Sequence, residues 1–194
     1  DIPNIIPDNT EVWLWTRDLE MSGLFNLDER IKNIAEGASM IAGVKHEIIL
    51  NSGLFNILPN MKGTKLLQSN LELLGPISFS KDENDFAEQI QNESGLKRTG
   101  MRSASLSLNE ALDEPTSFAS DIGDVSWIIP VITLFSACMP EGIPNHSWSS
   151  TACYGSSIGK KGMIYSSKAL AMTMIDLYKN PDLVNEIKKE FTER

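Results

Sequence analysis

Glu11-Val12-Trp13-Leu14-Trp15-Thr16-Arg17 is the stretch on which the fold reading turns. Aromatic and β-branched residues dominate it. Alternation puts Trp13 and Trp15 on one face and Val12 and Leu14 on the other, so it reads as a β-strand. Downstream, Asn26 and Glu29 form a plausible capping pair, and Leu27, Ile31, Ile34, Ala38 and Ile41 recur at helical spacing until Gly43. Residues 46–50 (His-Glu-Ile-Ile-Leu) read as a second strand. Strand, helix, strand is half of a ferredoxin-like split βαβ unit.

Beyond this half unit the pattern becomes helical. Asn60 opens a helix with Leu66, Leu67, Asn70, Leu71 and Leu74 on one side, and Gly75-Pro76 stops it. Ser80 and Glu83 have capping-box spacing ahead of Phe86 and Ile90, which predicts a third helix. From Leu96 to Asp124 the chain turns polar and Ser-rich, a long surface loop with at most one helical turn at 108–112. Residues 127–137 read as a buried strand with Pro130 near its start. A Gly- and Pro-rich stretch over 139–159 reads as a loop of the kind that aims side chains at a ligand. Met163, Ser167, Leu170, Met174 and Leu177 then mark a long helix. Asn180-Pro181 ends it and caps a last one, with Leu183, Val184, Ile187 and Phe191 facing inward.

Composition narrows the function classes. The 194 residues are 41% hydrophobic and 22% charged, enough to bury a core. Seventeen Lys and Arg against 26 Asp and Glu give a formal charge of -9, which argues against a nucleic-acid partner. Lys160-Lys161 and Lys188-Lys189 read as solvated helix faces. No run is long and apolar enough to span a membrane, and no secretory signal is visible, so a cytoplasmic location is expected. Cys138 and Cys153 are not in a C-x-x-C pair and read as reduced, mostly buried thiols.

Few residues stand out chemically. His146 lies in the loop Pro144-Asn145-His146-Ser147-Trp148, where an imidazole could be a metal ligand or an ordinary polar surface group. His46, at a strand start, reads as structural. Asp121 and Asp124 bracket Ile122-Gly123, which suits either paired-carboxylate chemistry or a plain turn. Ser156-Ser157-Ile158-Gly159 is equally compatible with an anion-binding helix entrance and a simple N-terminal cap. Two cocatalytic metals need about six to eight ligand atoms. With two histidines and one credible carboxylate pair, the chain can hardly supply them alone.

Several segments together resemble the aminoacylase/carboxypeptidase-G-like zinc amidohydrolases, and within them the aminobenzoyl-glutamate hydrolase branch. Pro3-Asn4-Ile5-Ile6-Pro7-Asp8 looks like that family's turn before a strand ending in Arg, here Arg17. Ile34-Ala35-Glu36-Gly37-Ala38 resembles a helix of the branch, and residues 52–60 its crossing between domains. Residues 120–127 (Ser-Asp-Ile-Gly-Asp-Val-Ser-Trp), 144–148 and 157–163 resemble three further motifs in the same order.

The resemblance implies an α/β (α+β) fold. Residues 1–58 would be the second half of a ferredoxin-like lid and dimerisation domain, and residues 59–194 the C-terminal half of a zinc-peptidase catalytic domain. It implies that His146 is a metal ligand and that Asn4 and Arg17 contact substrate, Arg17 through a carboxylate fork. It also implies two divalent metals, zinc foremost, and a small amide or dipeptide-like substrate cleaved next to a carboxylate. The family's remaining ligands and its general base lie upstream of anything here, so no catalytic residue is assigned. A homodimer through the lid is expected, with no nucleic acid and no membrane. The alternative is a non-catalytic fragment or pseudo-enzyme module acting in subunit association.

Overall fold

A computed structural model of the chain describes residues 4–102, 108 and 120–194. The described residues are mostly helical. Among them seven helices run in the order α1 (Met21–Ala42), α2 (Met61–Leu74), α3 (Lys81–Glu93), α4 (Ile122–Ser126), α5 (Trp148–Gly155), α6 (Ser157–Lys179) and α7 (Pro181–Thr192). The chain divides into two compact units, one of residues 1–57 with 114–124, the other of 58–113 with 125–194.

In the first unit, α1 begins at Met21 after Glu20, five residues ahead of the expected Asn26 cap. Leu24 extends the Leu27–Ile31 stripe by one turn, and Asn26 is tolerated inside the helix. Gly43 closes it in the left-handed region, φ 68°, as its position after the last apolar repeat predicts. Segments 11–17 and 46–50 are not strands. A strand persists through ladder hydrogen bonds to a neighbour, and among the described residues neither segment has one. Alternation alone therefore does not make them strands, and no ferredoxin-like lid is seen among the described residues.

Ser39 and Gly123 are the buried residues among those described in this unit. Ile34, Ala38 and Ile41 of the expected apolar stripe stay exposed on α1. His46 has the structural role read from its position: its Nδ1 lies 3.0 Å from Ser39 Oγ, which donates to Glu36 O at 2.7 Å. Asp124 Oδ1 accepts the Phe55 N–H at 2.7 Å. A Cβ on Gly123 would fall on the Phe55 carbonyl, 2.9 Å from its carbon, so only glycine admits this approach.

The second unit holds the core. Here α5 packs on α6, α2 on α6 and α7, and α6 on α7. One buried cluster joins Ala87, Met101 and Ile158; another joins Ile90, Ile143 and Cys153. The helix starts follow the sequence closely. Asn60 Oδ1 accepts from Gly63 N, and Asn60 Nδ2 donates to the Ile187 carbonyl. Glu190 of α7 receives the free Met61 and Lys62 N–H groups, adding a second cap to α2. Ser80 and Glu83 form the expected capping box. Asn180 caps α7, and Leu183, Val184, Ile187 and Phe191 are its less exposed positions, as the spacing predicts.

Two expectations fail in this unit. Among the described residues, 127–137 form no strand and are not uniformly buried: Trp127, Ile128, Ile129 and Phe135 are exposed, while Ile132 packs against Gly63. Apolar residues in sequence do not make a strand without a ladder, and Pro130 has no N–H to give to one. The polar loop expected from Leu96 also begins docked rather than free. Gln91, only 1% exposed, accepts from the N–H groups of Thr99 and Gly100 and donates to Thr99 Oγ1 and the Glu141 carbonyl. The possible turn at 108–112 lies largely outside the described residues.

Candidate functional site

The residues singled out from sequence fall in different units: Asn4 and Arg17 in the first, His146 in the second. Asn4 and Arg17 are both exposed, and no hydrogen bond joins them. The Arg17 guanidinium carbon lies 5.6 Å from the centre of the Trp15 ring, a cation–π contact that leaves its fork open. Thr16 beside it donates to Asp28 Oδ1 of α1 at 3.1 Å, which ties this segment to the helix.

His146 has the more unusual setting. It is the one non-glycine residue with positive φ among the described residues, at 59°. For an L-residue other than glycine the left-handed region costs about 1–2 kcal/mol. The cost is met by a set of hydrogen bonds from α5, which occupies part of the stretch expected to be a loop. Ser147 is the N-cap of α5, and Ser150 at the third helical position completes a capping box. Ser147 Oγ donates to the Pro144 carbonyl at 2.7 Å and accepts from Ser150 N at 3.2 Å. It also lies 2.9 Å from the buried Ser149 Oγ. Tyr154 OH donates to Asn145 Oδ1 at 3.4 Å. The Pro144 carbonyl and the Asn145 side chain are thus bonded to residues of the α5 cap and helix while the His146 imidazole stays exposed.

A metal ligand needs a free ring nitrogen, and His146 makes no side-chain hydrogen bond among the described residues. It fits one ligand position. No group of three or more His, Cys, Asp or Glu side chains that could hold a metal occurs among the described residues. The donors present fit a single contributed ligand and not a complete set.

Asp124 is occupied by the Phe55 N–H, and Asp121 accepts from Ser120 Oγ at 3.1 Å. Ser126, in the second unit, accepts the Leu58 N–H at 2.8 Å. The 120–127 motif therefore does packing work through Gly123, Asp124 and Ser126. The 157–163 motif does likewise. A Cβ on Gly159 would meet the Tyr154 backbone, and one on Gly162 would lie 2.5 Å from Cys138 Sγ and 3.0 Å from the Ala137 carbonyl oxygen. Ser156 is a plain cap, accepting from Ile158 N.

Lys161 is more than the solvated lysine its sequence suggests. Its ammonium donates to Glu83 Oε2 at 2.6 Å and to the Ser78 carbonyl at 2.9 Å, and lies 5.7 Å from the centre of the Phe79 ring. The Lys161 hydrogen bond, then the Ser80 N–H and the Ser157 hydroxyl, lower the Glu83 carboxyl to about 2 against the opposing effect of burial. Both thiols are free; Cys153 is buried and Cys138 partly so, and desolvation pushes both up. No helix among the described residues is long and apolar enough to cross a membrane.

The chain is similar to three curated hydrolases. One component of the p-aminobenzoyl-glutamate hydrolase of Escherichia coli (strain K12) is 27% identical over 212 residues, covering 97% of this chain and 44% of that protein. The Xaa-Arg dipeptidases of Homo sapiens and Mus musculus are 25% and 26% identical over 190 residues, each covering 97% of this chain and 37% of the relative. The chain is homologous to these hydrolases. That homology covers nearly all of it, which is what the ordered motifs imply. The chain spans less than half the length of the curated relatives it matches. No family model matches it, and no solved structure does.

Proposed function

We propose that this chain is the C-terminal portion of a metal-dependent amidohydrolase or peptidase that cleaves an amide bond next to a carboxylate. The observation that carries the reading is the homology, over 97% of the chain, to one protein named as part of an aminobenzoyl-glutamate hydrolase and two named as dipeptidases. Those names share hydrolysis of an amide or peptide bond in a small substrate.

In this reading His146 contributes one ligand to a pair of divalent metals, zinc foremost, whose other ligands come from outside these 194 residues. Such metals polarise a carbonyl and lower the pKa of water. The chain's own residues bind and orient. Arg17, in contact with the Trp15 ring, offers two parallel N–H donors to a substrate carboxylate, and Asn4 offers an amide from the preceding turn. In the same reading residues 1–58 belong to a lid domain and residues 59–194 to part of a catalytic domain.

The test is hydrolysis by the complete reading frame in which these residues stand, assayed on p-aminobenzoyl-glutamate and on dipeptides ending in Arg. Activity is expected to depend on metal and to vanish in His146→Ala. Hydrolysis that survives that substitution refutes the assignment. The 194-residue chain alone is expected to retain less than one equivalent of zinc after dialysis and to be inactive.

A second reading, subunit association, rests on a separate observation. Trp13, Trp15, Ile6 and Ile41 are 75%, 82%, 92% and 91% exposed in a unit with almost no buried residues among those described. Such faces are covered in stable assemblies. A homodimer through this unit is expected to sediment as such at micromolar concentration; a strict monomer counts against it.

A further inference from the structure

We infer that Ser147 is a positioning residue for His146, and that with Ser149 and Tyr154 it forms a fixed mount presenting that imidazole; the inference rests on the reading of His146 as a metal ligand. Pro144 to Ser147 is a four-residue loop whose ends are closed by a side chain, since Ser147 Oγ donates to the Pro144 carbonyl at 2.7 Å. His146 sits inside that closure with φ 59°.

The valences of the mount are filled. The Ser147 hydroxyl has one proton, given to Pro144, so its two lone pairs accept from Ser150 N–H and from the Ser149 hydroxyl 2.9 Å away. Ser150 Oγ accepts the Ser147 N–H at 3.2 Å and donates to the Ser147 carbonyl at 2.9 Å. Ser149 and Ser150 are each 2% exposed, which partly shields their bonds to Ser147, while the closure onto Pro144 lies at the surface. On the other flank Asn145 is held by Tyr154, nine residues on and in the last turn of α5. Both neighbours of His146 are therefore tethered to one helix.

A helix cap alone needs only the Ser150 N–H. The extra bond to Pro144 reaches back across His146, adds nothing to the helix and fixes the one strained residue. Strain of this kind persists where surrounding bonds over-determine it, and an exposed side chain held so has its direction set in advance. A ligand shared with residues outside the chain gains from such pre-organisation, because no rotational freedom of the backbone is lost when the set closes.

The experiment is backbone 15N relaxation on the labelled 194-residue chain, with zinc chloride added in a second series. The His146 amide is expected to have an order parameter of about 0.85, like the helices, falling below about 0.6 in Ser147→Ala and recovering in Ser147→Thr, which keeps the hydroxyl. Amides within α5 beyond its first turn should keep their values, which separates loss of the mount from loss of the helix. An unchanged His146 order parameter in Ser147→Ala overturns the inference. So does failure of the Thr variant to restore it. Zinc-dependent shifts centred on His146 support the ligand reading. Hydrolysis surviving His146→Ala in the complete reading frame overturns that reading, while the relaxation data on their own decide whether Ser147 holds the loop.

Discussion

Substituting Gly159 by Ala sets two effects against each other inside one helix. Propensity favours the change, since Ala in a helix interior is better than Gly by up to about 1 kcal/mol. Packing opposes it. The new Cβ would sit 2.6 Å from Tyr154 Cα and 2.8 Å from its carbonyl carbon, with the carbonyl oxygen nearer still, where ordinary contacts begin at 3.4 Å. All three atoms are backbone, so no rotamer relieves them, and α5 and α6 must separate by most of an ångström. Overpacking of this kind costs about 1–3 kcal/mol, and a rigid neighbour puts it at the upper end, for a net loss of about 2 kcal/mol.

Gly155 is the internal control. It ends α5, four residues earlier, and a Cβ there meets nothing within 4 Å. Gly155→Ala should therefore stabilise by about 0.5–1 kcal/mol through the unfolded state. Urea titration followed by helical circular dichroism reads both. With a slope of about 2 kcal/mol per molar, the two midpoints should stand roughly 1.5 M apart on opposite sides of the parent. A Gly159→Ala midpoint at or above the parent, with slope unchanged, would refute the packing argument.

Glu83→Gln removes a charge-assisted bond from a nearly buried carboxylate and should cost about 2 kcal/mol at neutral pH, measured by the same titration. The sign of its pH dependence follows from the lowered carboxyl. Stability due to Glu83 is fully present above its unfolded value near 4.5 and is lost as pH falls toward about 2, so the variant should show a shallower acid transition in that window. Asn60→Ala should lose about 1–2 kcal/mol, because it removes the α2 cap and the donor to Ile187 together; Asn60→Asp, which keeps the acceptor for Gly63, should recover part of it. Gln91→Ala leaves the Thr99 and Gly100 N–H groups without their partner and should speed amide exchange at both by at least tenfold, while α3 retains its protection.

How far the sequence could be read depended on whether the deciding partner was local. The starts of α2, α3 and α7 were legible because Asn60, Ser80 and Asn180 accept hydrogen bonds three residues ahead, so each cap is complete within its own segment. The expected strands at 11–17, 46–50 and 127–137 were not borne out. A ladder depends on a second segment, and alternation carries no information on whether one is present. α5 was missed because its capping box has Ser150 where the usual signature has Glu or Gln. Ser147 and Ser150 at that spacing were the available signal. His146 was singled out by its loop setting and given a ligand role through resemblance, and its left-handed backbone could not be read because nothing in Asn-His-Ser demands it. Lys161 looked like a surface charge because its partner, Glu83, is 78 residues away.

All four tryptophans, at 13, 15, 127 and 148, are between 47% and 82% exposed. Intrinsic fluorescence, usually taken as a gauge of folding, therefore has a different meaning for this chain. The indoles are already substantially exposed when the helices are intact, so the emission maximum should move little as urea unfolds them. It should instead shift to the blue when another surface closes over Trp13 and Trp15 or over Trp127. The same optical signal that is silent on unfolding becomes a direct reporter of assembly, and titrating candidate polypeptides while watching its colour gives a label-free way to find what the exposed faces are shaped to meet.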